Sequence, residues 1–484
     1  MRNMTSWRRR ATKKTVTIQQ STHTKFDVKH FDEFENVSEC PLFQGISSTS
    51  SSSSSSSTST SSSLSMSSSL LHDSSISSLS PPVHITGHAD DRIFSVTFAP
   101  DGHDCSRLWS LFETPPTITS TKSTEKENID MERKWIATCG QDGTCRIWCL
   151  EHNKQHEQVS ECYVLTCSEK NECLRMSWGE GLTREIVATS NAEGVIHIWD
   201  VLNEQTVQKL NCRVHDSNGL GKAEKPQVYV CKLFGGQSSL VMGGYDDRIM
   251  IWDVSTGGSI VEWTFSKTGK KATSMKQISP NHNPASDECY VYGASLGQIH
   301  DGSPLIAAAL SDGSISIIDP RQASSNISAY RWKAHNLSVS DVTMPSLNSS
   351  LNKGESNPSN HDPWSMVSCS ADCLVKVWDL RAIRNGAVYS LPGHKKAVFG
   401  VDFWSKNNVI SWSNDGSLRQ WDVTGKSPPV LLYEDLHYNL HGCDNRGAYV
   451  ATCGGPSGTN HQPAYWNIHK IVSPTTNKST PTKL

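Results

Sequence analysis

The chain has 484 residues, and its 45 lysine and arginine side chains against 48 aspartate and glutamate give a formal net charge of −3. This balance excludes the strong positive field of a protein that binds duplex nucleic acid or anionic membrane over its whole surface. No apolar run approaches the ~18 residues of a membrane span, and the fifteen cysteines include no CxxC pair, so we expect no membrane contact and a reducing intracellular location, cytoplasmic, nuclear or both.

Residues 1–80 are predicted to be a disordered extension, first basic and then serine-rich. Residues 1–26 contain seven lysines and arginines and no acidic residue, and 23 of the 34 residues from 47 to 80 are serine. Such a composition buries too little apolar area to offset backbone entropy. Three interpretations of "WRRRATKK" stay open: a nuclear-import or nucleic-acid-attracting cluster, a mitochondrial presequence, or a solvated tail. Residues 471–484 are predicted to be a flexible tail.

From residue 81 onward, a unit of two short strand-like runs around an acidic or glycine turn recurs seven times. The copies are "WIATCGQDGTCRIWCL" (135–150), "IVATSNAEGVIHIWDV" (186–201), "LVMGGYDDRIMIWDV" (240–254), "LIAAALSDGSISIIDP" (305–320), "MVSCSADCLVKVWDL" (366–380), "VISWSNDGSLRQWDV" (409–423) and "YVATCGGPSGTNHQPAYWNI" (449–468). Asn, Asp and Gly favour tight hairpin turns. The repeat length, with insertions, indicates a solenoid or a propeller.

These repeats resemble those of the WD-repeat family. Four copies end in Trp-Asp, namely Trp199-Asp200, Trp252-Asp253, Trp378-Asp379 and Trp421-Asp422, and the others carry Trp148-Cys149, Ile318-Asp319 and Trp466-Asn467. The resemblance implies an all-β fold, a seven-bladed WD-repeat β-propeller over residues 81–470. Its blade cores are expected near 83–150, 162–202, 228–256, 289–321, 331–382, 390–425 and 431–470. We expect "PPVHIT" (81–86) to pair beside "PAYWNI" and close the last blade.

The resemblance also implies a buried hydrogen-bond network in three of the blades. A histidine before the first strand and a Ser or Thr on the second link an Asp in the turn to a Trp on the third strand. The sets are His88, Thr138, Asp142 and Trp148; His335, Ser368, Asp372 and Trp378; and His394, Ser411, Asp415 and Trp421. The fourth repeat has Ala308 and Ile318, and the third has Met242, where the hydroxyl or indole would be. We expect those two blades to be held by packing alone.

Catalytic motifs are missing from the sequence. There is no GxSxG, no HExxH and no Gly-rich phosphate loop, and the recurring Asp and His belong to the structural network. We therefore predict that the protein is not an enzyme and has no cofactor and no metal site.

Two Asp-x-Arg elements end the fourth and fifth repeats, in "IIDPRQ" and "VWDLRA". Family members that act as substrate receptors of cullin–RING ubiquitin ligases carry Trp-Asp-x-Arg, often in two successive blades, and the Arg faces an adaptor protein. The resemblance makes Asp319, Arg321, Asp379 and Arg381 candidates for binding such an adaptor, although Ile318 departs from the Trp. The other interpretation, that each Arg only pairs with its own Asp, stays open.

The top face of such a propeller is predicted to bind a partner. Family alignment selects Arg92, Gln141, Tyr245, Ser338 and Asn414, a mixture that suits peptide recognition. The predicted function is a protein-interaction scaffold, monomeric within a larger complex, with substrate reception for a cullin–RING ligase as the favoured role. The alternatives are a nuclear chromatin- or RNA-associated factor and a peroxisomal-import-type cargo receptor. Direct binding of nucleic acid by the propeller is not predicted.

Overall fold

A computed structural model describes residues 78–88, 91–100, 132–152, 157–168, 171–179, 185–212, 227–234, 240–245, 247–265, 289–298, 304–320, 330–345, 364–405, 407–457 and 463–472. The predicted extension up to residue 77 and the tail from residue 473 lie outside these residues. Within the described ranges the structure is almost entirely β-strand, with one 3₁₀ turn at Ile383–Asn385. None of their helices is long and apolar enough to cross a membrane.

The described strands form seven antiparallel sheets, which we call blades 1 to 7. Blade 1 has β3 (Ile93–Phe98), β4 (Glu132–Gly140), β5 (Thr144–His152) and β6 (Glu157–Thr166); blade 2 has β7 (Cys173–Trp178), β8 (Ile186–Asn191), β9 (Val195–Asp200) and β10 (Gln205–Asn211). Blade 3 has β11 (Val228–Phe234), β12 (Leu240–Tyr245), β13 (Arg248–Asp253) and β14 (Ser259–Thr264); blade 4 has β15 (Val291–Gln298), β16 (Pro304–Leu310), β17 (Ser314–Ile318) and β18 (Tyr330–Lys333).

The remaining three blades complete the ring. Blade 5 has β19 (Val339–Thr343), β20 (Ser365–Ser370), β21 (Leu374–Asp379) and β22 (Tyr389–Pro392); blade 6 has β23 (Val398–Ser405), β24 (Asn408–Ser413), β25 (Ser417–Asp422) and β26 (Val430–Glu434). Blade 7 joins β27 (Tyr438–Arg446), β28 (Tyr449–Pro456) and β29 (Trp466–Val472) to two strands from the start of the domain, β1 (Ser78–Leu79) and β2 (Val83–Ile85). The predicted all-β, seven-bladed propeller is confirmed.

The first strand of each blade is innermost, and these seven strands contact one another in a closed cycle around a central channel. The apolar core lies between neighbouring blades, because each sheet covers one face of the next. At the junction of blades 7 and 1, for example, Trp148 and Trp466 pack with their ring centroids 5.4 Å apart. Burying side chains of this size contributes roughly 1.5–3 kcal/mol each, so the ring is held chiefly by contacts between blades.

The ring closes in blade 7, where both ends of the domain meet. Strand β2 pairs antiparallel with β29, with Val83 opposite Ile468 and Ile85 opposite Trp466. This confirms that "PPVHIT" pairs beside "PAYWNI". Strand β1 extends the pairing to the far end of β29. On the channel side, Asp444 of blade 7 accepts hydrogen bonds from the Thr97 hydroxyl (2.9 Å) and the Phe98 amide (2.6 Å) of blade 1.

Removing residues 1–85 is expected to destabilise the propeller, because β29 becomes an open edge and loses its pairing with β1 and β2. We expect the melting temperature, measured by differential scanning fluorimetry, to fall by roughly 5 °C or more. A matched variant that lacks only residues 1–77 keeps both strands and should melt close to the full chain. Equal melting temperatures for the two deletions would contradict this role of β1 and β2.

Candidate functional site

Three blades contain a complete chain of buried hydrogen bonds, which we call the relay. In blade 6, His394 Nδ1 lies 3.1 Å from Asp415 Oδ2, and His394 Nε2 lies 2.7 Å from Ser411 Oγ. The Trp421 indole N–H donates to the same Ser411 oxygen at 2.7 Å. A neutral imidazole that donates from Nδ1 and accepts the Ser411 hydroxyl at Nε2 satisfies every link of this chain.

The relay of blade 1 has the same order. His88 lies 3.0 Å from Asp142 and 2.8 Å from the Thr138 hydroxyl, to which Trp148 donates at 2.8 Å. The structure therefore brings together the four residues that the sequence placed in this network.

The relay of blade 5 repeats this geometry. His335 lies 3.1 Å from Asp372 and 2.8 Å from Ser368 Oγ, and Trp378 donates to Ser368 at 2.9 Å. All three sets of four are thus assembled as expected from their common spacing.

Each relay fixes a tight turn on the same face of the ring. In blade 6, Asp415 accepts hydrogen bonds from the Ser417 amide (2.9 Å) and hydroxyl (2.6 Å), inside the turn between β24 and β25. Gly416 occupies this turn with φ = 76°, and an added Cβ would lie 1.8 Å from the Asp435 carbonyl oxygen. Sequence analysis missed Ser417; the signal for it is the hydroxyl two residues after the Asp, which recurs as Thr144 in blade 1.

Burial and hydrogen bonding set the charge states of the blade 6 relay. Burial lowers the pKa of His394, although Asp415 opposes this shift, so the imidazole is neutral at physiological pH. Burial tends to raise the pKa of Asp415, but the hydrogen bonds from His394, Ser417 and the Lys395 amide outweigh it and bring this pKa well below its usual value. The lowered pKa of Asp415 stabilises the folded state at neutral pH, and this contribution is lost as the pH falls below about 4. The lowered pKa of His394 adds nothing at neutral pH, where the imidazole is neutral in both states, and destabilises the folded state as the pH falls below about 6.5.

Asp415→Ala is expected to destabilise the protein by about 1–3 kcal/mol, because it leaves the buried donors of His394 and Ser417 without an acceptor. The loss of stability should appear in urea unfolding at neutral pH. Glu434→Ala, on the exposed edge of blade 6, is the matched control and should have little effect. A wild-type unfolding midpoint for Asp415→Ala would contradict the relay in this blade.

Blade 2 has a partial relay that sequence analysis missed. The Trp199 indole donates to the Thr189 hydroxyl at 2.9 Å, and the Cys167 thiol contacts the same oxygen at 3.2 Å. The thiol thus takes the position of the imidazole. Thr189 lies ten residues before Trp199, as in the complete relays, and this spacing was the available signal.

Blade 4 is not held by packing alone, and that expectation is wrong. Although Ala308 and Ile318 replace the hydroxyl and the indole, the Arg331 guanidinium from the outer strand binds Asp312 at 2.6 Å and Ser314 Oγ at 2.8 Å. It also donates to the Phe265 carbonyl of blade 3 at 2.7 Å. A charged side chain from a different strand therefore holds the turn, and no repeat spacing could reveal it.

The strand pairing of blade 3 shows that the position predicted for its hydroxyl residue is wrong. In each complete relay, one residue of the second strand pairs with the Trp of the third strand, and the Ser or Thr of the relay lies two residues after that partner. In blade 3, Val241 pairs with Trp252, so Gly243 rather than Met242 holds this position. The reason is a shorter turn after β12. An added Cβ on Gly243 would lie 2.9 Å from the Trp252 ring, so the indole occupies the space of the missing side chain.

The strand pairing of blade 7 shows that the predicted position of its Trp-Asp equivalent is also wrong. Val450 pairs with His469 and Thr452 with Asn467, so His469 stands where the other blades have their Trp. Its Nε2 lies 3.5 Å from the Thr452 hydroxyl. The assignment of Trp466-Asn467 as the Trp-Asp equivalent is therefore wrong by three residues, because the longer turn of this blade hides the register.

The two Asp-x-Arg elements lie at the ends of third strands, on the face opposite the relay turns. Arg381 is exposed, and its guanidinium makes a bidentate pair with Asp379, with both N–O distances 2.9 Å. These hydrogen bonds lower the pKa of Asp379. Asp319 is partly buried after β17, and Arg321 lies outside the described residues. Arg381 is thus both paired with its own Asp and accessible, and adaptor binding stays a prediction.

The predicted partner-binding residues of the top face, the face of the relay turns, are not equally accessible. Arg92 and Gln141 are partly exposed neighbours, since the Gln141 amide donates to the Arg92 carbonyl at 2.8 Å. Ser338 is partly exposed, whereas Asn414 is 1% exposed and therefore not at the surface. Of Tyr245, at the end of β12, only the backbone is described. Their role in partner binding stays a prediction.

The central channel is plugged near the top face. At the start of each inner strand a bulge turns one residue toward the axis. These residues are at most 5% exposed and are Phe94, Leu174, Tyr229, Tyr292, Ser340, Phe399 and His441. Aromatic contacts link them, with Phe399 and His441 centroids 5.1 Å apart. A peptide therefore cannot thread through the ring.

Below the plug lies a cavity of about 190 Å³ with charged walls. Arg175 and Lys232 line the side of blades 2 and 3, and Asp341, Asp402 and Asp444 line the side of blades 5 to 7. Burial raises the pKa of all three carboxyl groups, that of Asp341 to about 6. Burial of these three carboxyl groups in their charged form therefore destabilises the folded state.

Asp341→Asn is expected to stabilise the protein at neutral pH. Because the pKa of Asp341 is raised, the folded protein keeps a proton that the unfolded chain loses above about pH 4, so the free energy of unfolding falls as the pH rises from about 4 to 6. The amide removes this penalty. We expect a gain of about 1–2 kcal/mol in urea unfolding at about pH 7.5 and almost none at about pH 4. A gain at both pH values, or at neither, would contradict the assignment.

Comparison with known proteins agrees with this geometry. The family model of the WD domain, G-beta repeat, matches residues 129–149, 328–379 and 386–422, which span the hairpins of the three complete relays. The chain is a WD-repeat β-propeller. The WD-repeat matches fall in blades that keep the full relay, whereas blades 3, 4 and 7 depart from it at the positions described above.

Several curated WD-repeat relatives align with much of this propeller. The chain is 23% identical to "Ribosome biogenesis protein WDR12 homolog" of Trichoplax adhaerens over 60% of each chain. It is 22% identical to the Arabidopsis thaliana protein of the same name, over 72% of this chain and 73% of the relative. A shorter match, 39% identical over 106 residues, is to "E3 ubiquitin-protein ligase COP1" of Pisum sativum and covers 22% of this chain and 15% of the relative.

Proposed function

We propose that the protein is a non-catalytic propeller scaffold that works in a nuclear, RNA-associated assembly. The observation that carries this proposal is the extent of the match to proteins named for ribosome biogenesis, which covers 60% and 72% of the chain in two organisms. A third such protein, "Ribosome biogenesis protein YTM1" of Pyricularia oryzae, is 24% identical over 52% of the chain. This support favours the alternative interpretation of the sequence over the ligase receptor.

The chemistry of the blades fits a scaffold better than an enzyme. The imidazoles of His88, His335 and His394 are at most 2% exposed and hydrogen-bonded on both ring nitrogens. A general base must reach its substrate within hydrogen-bond distance, and these groups are engaged within the blades. Their arrangement stabilises turns, and stable turns present loops to partners.

A second candidate function is adaptor binding for a ubiquitin ligase. It is supported by the exposed bidentate pair of Asp379 and Arg381 and by the short match to a protein named as an E3 ligase. The match covers a small part of either chain, so this candidate has narrower support than the nuclear scaffold.

One fractionation experiment distinguishes the two candidate functions. The full-length chain, tagged and expressed in cells of its source, is fractionated from nuclear extract on a sucrose gradient with and without ribonuclease. We expect sedimentation with large particles that contain ribosomal RNA precursors, and its loss after ribonuclease treatment. The Arg321→Ala, Arg381→Ala double variant should sediment like wild type.

Two results would contradict the nuclear scaffold. If the chain sediments only as a monomer and carries no RNA, the assignment to an RNA-associated assembly is wrong. If a cullin–RING adaptor is recovered with wild type and lost with the double variant, the second candidate replaces it.

A further inference from the structure

Three consecutive blades present the same loop, between an outer strand and the next inner strand, on the top face. These loops are residues 334–338 before β19, 393–397 before β23 and 435–437 before β27. Two of them carry an exposed leucine: Leu337 is 46% exposed and Leu436 is 66% exposed. Leu436 is the most exposed large hydrophobic side chain of the described residues.

Basic side chains accompany these leucines. Lys395 is exposed and Lys396 partly exposed in the loop between them, and His437 is exposed beside Leu436. Within the described residues, neither lysine takes part in an ion pair. We call Leu337, Lys395, Lys396, Leu436 and His437 the leucine–lysine patch.

The carboxylates of the same three loops and turns point inward and are engaged. Asp372 binds His335, and Asp415 binds His394. Asp435 accepts hydrogen bonds from the Tyr465 hydroxyl and from the His437 amide. These three aspartates are therefore used within the blades. Glu434, at the end of β26 and two residues before Leu436, is exposed, so the cationic part of the patch is the pair of lysines in the blade 6 loop.

The backbone of the patch is held in place by the same aspartates. The Asn336 amide donates to Asp372 at 3.0 Å, and the Lys395 amide donates to Asp415 at 2.8 Å. The His437 amide donates to Asp435 at 3.0 Å. Because these bonds fix the backbone of each loop, little conformational entropy is lost when a partner binds the side chains that the loops present.

The exposed leucines are not needed for the relay. Leu337 lies two residues after His335, and Lys396 lies two residues after His394, so the same loop position takes either an apolar or a charged side chain. Exposed apolar side chains on the same face of a protein can mark an interaction site, and Leu337 and Leu436 lie in top-face loops on either side of the blade 6 loop. The leucines thus add apolar contact area on both sides of the loop that carries Lys395 and Lys396.

We propose that the leucine–lysine patch binds an acidic, apolar segment of a partner protein, in which Asp or Glu alternate with large apolar residues. Charge complementarity with the lysines selects an acidic rather than a basic segment. The leucines favour a peptide over an RNA phosphate backbone, because phosphates gain nothing from exposed leucine side chains. This inference names a partner class for the scaffold and in that sense rests on the proposed function.

The test uses the purified full-length chain and fluorescence anisotropy. The probe is a fluorescein-labelled peptide of about twelve residues in which leucine and phenylalanine alternate with aspartate and glutamate. Two matched peptides carry lysine in place of the acidic residues, or serine in place of the apolar ones. A labelled single-stranded oligouridine is the fourth probe. We expect the acidic, apolar peptide to bind at least about tenfold more tightly than the other three.

Variants locate the binding site. Leu436→Ser and the Lys395→Glu, Lys396→Glu pair should each weaken binding of the acidic, apolar peptide by about tenfold or more. The lysine variant should also reduce the dependence of binding on salt. The control is Val207→Ser, Lys209→Glu, which changes an exposed apolar and an exposed basic residue on the outer strand of blade 2 and should bind like wild type.

Three results would overturn the proposal. They are absence of binding by the acidic, apolar peptide, equal binding by the serine peptide or oligouridine, and equal loss of binding in the patch and control variants. Because the assay uses purified protein and peptides, its failure leaves sedimentation with nuclear RNA particles unaffected. Failure of the patch is therefore distinguishable from failure of the nuclear scaffold.

Discussion

Everything in this structure depends on closing a ring with strands from both ends of one domain. The outer edge of β29 pairs with β1 and β2, which come from the start of the domain, and not with a strand that follows β29 in the sequence. The same junction is joined on the channel side by Asp444 and its bonds to blade 1. Closure removes the open sides of the ring and lets every blade pack against two neighbours.

Within the closed ring, each blade must also hold its turn in place, and the blades do so by different chemistry. Three use the complete relay, blade 2 replaces the imidazole with Cys167, and blade 4 uses Arg331 from its outer strand. In blades 1, 4, 5 and 6 the common element is an aspartate at the turn that binds a buried or charge-assisted donor, whereas in blade 2 the Cys167 thiol contacts the Thr189 hydroxyl of β8. Variation is tolerated in the donor because the hairpin itself is already specified by its strand pairing.

The repeats and the blade number could be predicted because they produce a local pattern of residues at constant spacing. The closing strand and the three relays could be predicted because that pattern resembles the WD-repeat family, which implies both. The departures from this pattern could not be predicted from the sequence. Arg331 reaches Asp312 from another strand, and the Trp466 assignment failed because a longer turn shifts the register without changing the residue types. The position of Asn414 in a turn predicts exposure, but the residue is 1% exposed and its amide donates to the Ala397 carbonyl in the loop before β23. The exposed leucines were missed because single apolar residues in loops carry no periodic signal.

The central claim is that the relay aspartates Asp372 and Asp415, together with Asp435, hold the top-face loops of blades 5 to 7 as a rigid binding surface. Hydrogen–deuterium exchange of the full-length chain, followed by mass spectrometry, tests it most directly. The account predicts that the amides of Asn336, Lys395 and His437 exchange nearly as slowly as those of β23, since each donates to a buried or engaged carboxylate. Exchange at the rate of an unstructured peptide in these three loops would contradict it.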